Sequence, residues 1–437
     1  MLKIYNSLTQ TIEPFETIKP KRVSMYVCGP TVYGDIHLGN ARPVIFFDVL
    51  KRYLSYLGYD VMFVSNITDV DDKIIDKAKE EGVLEKELTD KYTKHFIDMT
   101  HAVGSSLPDM MPKATEYVKH MITYIEDLIL QGYAYARPSG VYFRVSKVSD
   151  YGILSKQNVD ELSQGVRVNL EDDKEDPRDF SLWKVTDDGL RYPSPWGEGR
   201  PGWHTECAVM NKEIFDGEID IHGGGTDLKF PHHENEIAQT CAHDHHHIAK
   251  FWMHVGRLDV NDTKMSKSLG NITWVKDLIQ VYDALAFRFL MVGHHYRMPI
   301  NYSEDLMQQF SKEYDKIKRS LKKAFLTISL NKAFTVEIDE VQMAIFHQWM
   351  NDDLNTPNVI TLIYDLMKMM NKEKDVLKLA VIYQTTKTIL DILGLMPRYE
   401  LTDDTINLYK AWEQARTDKD FVRADQLREK LSERGWM

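Results

Sequence analysis

The chain has 437 residues, too many for one ordinary hydrophobic core, so two to four domains are expected. Its 43% hydrophobic and 27% charged residues have the balance of a soluble globular protein, no apolar run approaches membrane-spanning length, and the opening MLKIYNSLTQ lacks the apolar core of a signal peptide. A net charge of −12 speaks against bulk nucleic-acid affinity, so any such surface must be local, and the three scattered cysteines, Cys28, Cys207 and Cys241, argue against a disulfide framework and for a reducing, cytoplasmic setting.

In VSMYVCGPTVYG, Val23, Met25 and Val27 alternate with polar or aromatic neighbours. That predicts a strand ending at Cys28, broken by Gly29-Pro30. A Gly-rich turn containing His37-Leu38-Gly39-Asn40 leads into an amphipathic helix over roughly 41–58, with Val44, Phe47, Leu50 and Leu54 on one face and Gly58 as its stop. DVMFVSNI then reads as a buried parallel strand. The result is a βαβ unit with glycines at its first turn, where nucleotide phosphates sit, although the G-x-G-x-x-G fingerprint is absent. Residues 115–132 predict a helix, and 140–200 an inserted hairpin-rich module. RPGWHTECAVM reads as a Gly-rich loop running into a short helix that carries Cys207. EIDIHGGGTDL leads into a helix over 232–243, and KFWMHVGRLDV predicts a strand near 250–260. From about 300 onward strand signals vanish and long helical patterns take over. The fold expected is an α/β sheet domain split by an insertion, followed by a helical domain.

Three stretches carry candidate chemistry. In FPHHENEIAQ, helical spacing puts His232 and Glu236 on one face at i and i+4, while His233 points elsewhere. The motif is not H-E-x-x-H, and two ligands are too few for zinc. Taken alone the stretch is also an ordinary helix start, with Pro231 at a first helical position followed by acids. Cys28 and Cys207 are the candidates for the missing ligands, and each taken singly reads equally as buried packing. Two thiolates, an imidazole and a carboxylate would form a zinc set drawn from three distant segments. In LDVNDTKMSKSLGN, Lys264 and Lys267 stand among small hydroxyls. This is either a basic surface loop or one whose ammonium groups fold over a triphosphate. Residues 312–323 carry six basic and two acidic side chains, either a solvated helix face or a phosphate-contacting one.

HLGN resembles the first signature of class I aminoacyl-tRNA synthetases, and KMSKS is similar to their second. With CGPTVYGDIHLGNAR, SNITDVDDKI, GEGRPGWHTECAVM, DIHGGGTDLKFPHHENEIAQ and KMSKSLGN, the resemblance is to the cysteinyl-tRNA synthetase family, in order along the whole chain. It implies activation of L-cysteine with ATP to cysteinyl-adenylate and transfer to the 3′ end of tRNA(Cys), by a cytoplasmic monomer. It implies Zn2+ held by Cys28, Cys207, His232 and Glu236 and selecting the substrate thiolate over serine, with Mg2+ accompanying ATP. His37, Gly39, Asn40, Gly225, Asp227 and Lys267 would bind ATP. His37, Asn40, Lys264 and Lys267 would act in catalysis, and Cys28, Thr68 and Trp203 would line the cysteine pocket. Asn40 departs from the signature, whose second histidine it replaces; its amide donates a hydrogen bond but carries no charge. The implied division is a Rossmann-like parallel-sheet catalytic domain (1–114 and 203–260) split by a connective insertion (115–202), then a second-signature and stem-contact region (261–305) and an all-α anticodon-binding domain (306–437). Family members usually continue with a small basic end, so the chain is read as either truncated or short after Met437. Two rivals remain at this point: a cysteine ligase acting on an amino-sugar, and a noncatalytic zinc-stabilised RNA-binding module.

Overall fold

The computed structural model describes residues 1–156, 173–260, 263–264 and 273–436. Its centre is a parallel four-stranded sheet in the order Ala249–Val255, Ile219–Gly225, Arg22–Val27, Asp60–Ser65. Such a sheet is covered on both faces, and the two-residue side-chain period sorts the cover. Val23, Met25 and Val27 join the core that contains the Leu38–Tyr56 helix, and Tyr26 joins the core beneath Val118–Leu130 and Trp203–Phe215. The chain builds outward from Arg22–Val27 to Asp60–Ser65, then returns to place Ile219–Gly225 on the other side of Arg22–Val27. Strand order therefore reverses between those two strands, which opens a crevice at their carboxyl ends.

The Leu38–Tyr56 helix starts three residues earlier than its hydrophobic pattern predicts. The His37 ring accepts from the Asn40 N–H while the Asn40 amide oxygen accepts from the His37 N–H, a reciprocal cap that the pattern does not reveal. Phe47, Leu50 and Leu54 are buried as expected, and Val44 is half-buried. Ile45, Phe46 and Val49 are buried as well, because the Ala284–Val292 and Val376–Leu393 helices cover the face left for solvent.

Between the halves of the sheet lies an antiparallel sheet of Ala134–Arg137, Gly140–Phe143, Phe180–Val185 and Gly199–Pro201. It hands the chain to the Trp203–Phe215 helix through Gly202, where a Cβ would lie 2.0 Å from the Ser181 carbonyl oxygen. The strand expected near 250–260 is two strands: Ala249–Val255 in the main sheet, and Leu258–Val260 between Thr263–Lys264 and Ile300–Tyr302. From residue 304 the chain is helical: Glu304–Leu330, Glu340–Met350, Thr356–Lys372, Val376–Leu393, Asp403–Thr417 and Phe421–Glu433. Each is preceded by a Ser, Asp, Asn or Thr whose side chain accepts a first-turn N–H. Among the described residues no helix is long and apolar enough to cross a membrane.

Candidate functional site

The crevice collects residues from three segments. Cys28 follows the Arg22–Val27 strand, and its N–H donates to the Gly223 carbonyl of the neighbouring strand at 3.0 Å. Cys207 lies in the Trp203–Phe215 helix. His232 ends a five-residue helical turn, Lys229–His233, with its neighbour, and Glu236 sits in the first turn of Glu234–Asp244. One ligand atom from each of Cys28, Cys207, His232 and Glu236 lies within 4.8 Å of all the others. Cys28 Sγ is 3.6 Å from Cys207 Sγ and 3.5 Å from Glu236 Oε1, and His232 Nε2 is 3.0 Å from Glu236 Oε1. Metal–sulfur bonds of about 2.3 Å and metal–nitrogen or –oxygen bonds of about 2.0 Å give tetrahedral edges of roughly 3.3–3.8 Å. The two sulfur distances lie in that range and the His232–Glu236 edge is a little shorter, so a small widening of that edge would admit zinc. The donor chemistry fits too. Cys207, His232 and Glu236 are at most 1% exposed, and two thiols with a carboxylate form a buried set that a dication would neutralise.

His222 and His204, beside this set, were not found from sequence. His222, on the Ile219–Gly225 strand, meets Glu236 Oε2 through Nε2 at 2.6 Å. His204 Nδ1 lies 3.0 Å from His232 Nδ1, so it fixes the ring whose other nitrogen faces Glu236. His233, expected to point away, brings Nε2 to 3.3 Å from Cys28 Sγ, with Nδ1 on His254 at 2.9 Å. The i and i+4 spacing of His232 and Glu236 holds, but Pro231 does not open the helix: it lies in the preceding turn, where Phe230 is non-helical, and the helix begins at Glu234. Cys28, His222 and His233 also lie close enough to share an ion, but they offer one sulfur and no carboxylate. Burial works against the Glu236 carboxylate, yet His222 and His232 hold its pKa well below the usual range. Burial would lower His232, but Glu236 and Cys207 raise it to about 10. Burial holds His204 neutral, at about 3.

Trp203 stacks face-on against His232, ring centres 4.2 Å apart, and remains 37% exposed. Thr68 is held in a buried relay: Asn66 Oδ1 accepts from the Gly29 N–H at 2.8 Å, Asn66 Nδ2 donates to Thr68 Oγ1 at 3.2 Å, and Thr68 Oγ1 meets Glu206 Oε2 at 2.8 Å. Gly29 is needed there, since a Cβ would sit 1.7 Å from the Asn66 carbonyl oxygen. His37, Gly39 and Asn40 form the loop and first turn that follow the same strand, at the carboxyl edge of the sheet. Gly225 ends the Ile219–Gly225 strand, and Asp227 is exposed in the next turn. Lys264 closes a two-residue strand, and Lys267 lies outside the described residues. On the Glu304–Leu330 helix, Lys318 pairs with Asp283 at 2.7 Å and Lys322 lies over the Trp436 ring at 4.7 Å. Lys312, Lys316, Arg319 and Lys323 are exposed.

Residues 14–312 match the tRNA synthetases class I (C) catalytic domain, and residues 345–397 match the DALR domain. The chain is 54% identical to a cysteine--tRNA ligase of Acholeplasma laidlawii, over 100% of both chains. It is 48% identical to a cysteine--tRNA ligase of onion yellows phytoplasma, again over 100% of both. Two solved structures share the fold. Mycobacterium tuberculosis methionyl-tRNA synthetase bound by methionyl-adenylate has a TM-score of 0.63 at 14% identity, covering 92% of this chain and 96% of that one. The Agrobacterium radiobacter LeuRS of a ternary complex with tRNA and LeuAMS has a TM-score of 0.65 at 11% identity, covering 87% and 84%.

Proposed function

Because the chain belongs to the cysteine--tRNA ligase family of class I tRNA synthetases, and so is a ligase that forms an aminoacyl-tRNA, we propose that it charges tRNA(Cys) with L-cysteine in the crevice described above. In the first step a carboxylate oxygen of cysteine attacks the α-phosphorus of ATP as the bond to pyrophosphate breaks. In the second, a hydroxyl of the terminal tRNA ribose attacks the carbonyl carbon and AMP leaves. No side chain acts as nucleophile, so the protein contributes position and charge.

Cys28, Cys207, His232 and Glu236 would hold Zn2+. When bound, the ion would supply a Lewis acid soft enough to favour a thiolate over a hydroxyl, the difference between cysteine and serine. Trp203 and Thr68 wall the side of the pocket beside these ligands, and Cys28 belongs to both ligand set and pocket. His37 accepts its helix cap on Nδ1, so the neutral ring carries its proton on Nε2, the donor for the phosphates. The Asn40 amide lies beside it, and Gly39 leaves room for the adenine. Gly225 lets main chain approach the nucleotide, and the Asp227 carboxylate accepts from a ribose hydroxyl. Lys267, with Lys264, neutralises the departing pyrophosphate, and Mg2+ accompanies ATP. The helical part from 306 receives the tRNA. Lys312, Lys316, Arg319 and Lys323 recur at helical spacing along one exposed face, suited to phosphates. The protein works as a monomer in the cytoplasm.

The observation that carries the reading is the buried thiol–thiol–imidazole–carboxylate quartet at the reversal of strand order, in a chain with 54% identity to a cysteine--tRNA ligase. Cysteine-dependent ATP–pyrophosphate exchange, followed by charging of tRNA(Cys), tests it. Exchange without tRNA charging would instead favour a ligase with another acceptor, and no exchange would reject the reading.

A further inference from the structure

The proposed chemistry brings His37 and the Lys264–Ser268 segment to the same phosphates from distant parts of the chain. We propose that Asp35 and Arg42, on either side of His37, are positioning residues that hold the two feet of the segment carrying the second signature. This rests on the roles given above to His37 and Lys267.

The exit foot is residues 273–276. Leu38 N–H donates to the Thr273 carbonyl at 3.1 Å, Val275 N–H donates to the Ile36 carbonyl at 3.1 Å, and His37 and Trp274 pair as an antiparallel bridge. The Asp35 carboxylate locks this ladder from the side. One oxygen takes Lys276 Nζ at 2.6 Å, and the other takes His95 Nδ1 at 2.7 Å, tying both strands to the Glu85–Ala102 helix. Asp35 is only 13% exposed, so the pair is shielded more than a surface ion pair.

The entry foot is residues 256–257, just before the Leu258–Val260 strand that leads toward the signature. Arg42, one turn into the helix that His37 caps, sends one guanidinium nitrogen to the Gly256 and Arg257 carbonyls at 2.6 and 3.1 Å. Its other nitrogen reaches the His295 carbonyl at 3.0 Å. Arg42 is 2% exposed, and among the described residues it forms no ion pair. A buried guanidinium without a carboxylate is costly. Here its fork fixes main chain, which an aliphatic residue of equal volume cannot do. One rigid element thus carries His37 and grips both ends of the other signature segment. Neither Asp35 nor Arg42 is placed on substrate, so each acts through the location of other groups.

The test uses the full chain in cysteine-dependent pyrophosphate exchange. Asp35→Asn and Lys276→Met should each lower kcat by about 10–100-fold, the effect of misplacing reacting groups by about 1 Å, with KM for cysteine and bound zinc unchanged. The double variant should be no slower than the slower single, and Lys276→Arg should restore most of kcat. Arg42→Lys, which keeps the charge but loses the fork, should lower kcat in the same way. Wild-type kcat in the single variants, multiplying losses in the double, or a loss confined to KM for cysteine would overturn the clamp. Amide hydrogen exchange in ligand-free protein reads it without catalysis: Asp35→Asn should speed exchange at Leu38 and Val275, and unchanged exchange would also overturn it. A wild-type chain without pyrophosphate exchange would instead reject the proposed function, and the amide readout would still decide the clamp.

Discussion

His37 has two jobs that a pair of substitutions separates. Its ring accepts from the Asn40 N–H at 3.3 Å, and its own N–H donates to Asn40 Oδ1 at 3.2 Å, closing the first turn of the helix that carries the signature. Truncation by His37→Ala removes the side-chain half of that box, a loss of about 1 kcal/mol of stability. It also removes the proposed donor to the phosphates, a loss of roughly 10²–10³ in kcat, or about 2.7–4 kcal/mol of transition-state stabilisation. His37→Asn keeps a good capping acceptor, so its stability should stay within about 0.5 kcal/mol of wild type, while its shorter side chain no longer reaches the phosphates. Urea unfolding followed by tryptophan fluorescence measures the first quantity, and cysteine-dependent pyrophosphate exchange the second. The expected result is a stable Asn variant and a less stable Ala variant, both slow by a similar factor. Near-normal exchange in the Asn variant would show that the ring serves the helix alone.

On the tRNA side, Lys316→Glu with Lys323→Glu should weaken tRNA binding and flatten its salt dependence by about one unit of slope per lost phosphate contact, leaving pyrophosphate exchange intact. An unchanged slope would make the stripe an ordinary solvated face. His254 gives a pH signature. Burial holds its pKa at about 3, below the ordinary 6.5, so between those values the unfolded chain binds a proton that the folded chain refuses. Stability therefore falls as pH drops through that window, and His254→Gln should lessen the slope by up to about 1.4 kcal/mol per pH unit in urea unfolding. An equal slope in the variant would mean that folded His254 takes the proton. Asp48→Ala would leave the fully buried Arg288 guanidinium without its carboxylate and should cost about 3–5 kcal/mol in the same assay. A loss under about 1 kcal/mol would mean that the carbonyl oxygens of Leu393 and Val103 suffice for Arg288.

The βαβ unit was legible because local patterns state it. The alternation of Val23, Met25 and Val27 sorts one strand between two layers, and Gly58, at a φ of +82°, ends the intervening helix where expected. The helix start was not legible, since a His–Asn cap is outside the usual Ser, Thr, Asp and Asn signals at the capping position. Nor was the burial of Ile45, Phe46 and Val49, which depends on helices hundreds of residues away. The quartet of Cys28, Cys207, His232 and Glu236 was ambiguous residue by residue; donor chemistry made it a possible zinc set, and the family resemblance assigned it. Strand reversal is what makes its three segments neighbours, and no local pattern encodes it. His222 and His204 carried no period, although His222 sits just before the glycine run, where a strand end meets the crevice. Among the lysines of 312–323, sequence could not separate Lys318 and Lys322, committed to Asp283 and Trp436, from those left exposed.

Selection of cysteine by a zinc ion in this quartet is the central claim, and X-ray absorption on the purified protein before and after adding cysteine tests it most directly. Two sulfurs from Cys28 and Cys207 with two lighter ligands should give way to three sulfurs, the added one at about 2.3 Å. Serine should leave the spectrum unchanged, and a Cys241→Ser variant, altered at the half-buried cysteine outside the set, should respond as wild type does. A zinc shell that gains no sulfur on mixing with cysteine would contradict thiolate selection.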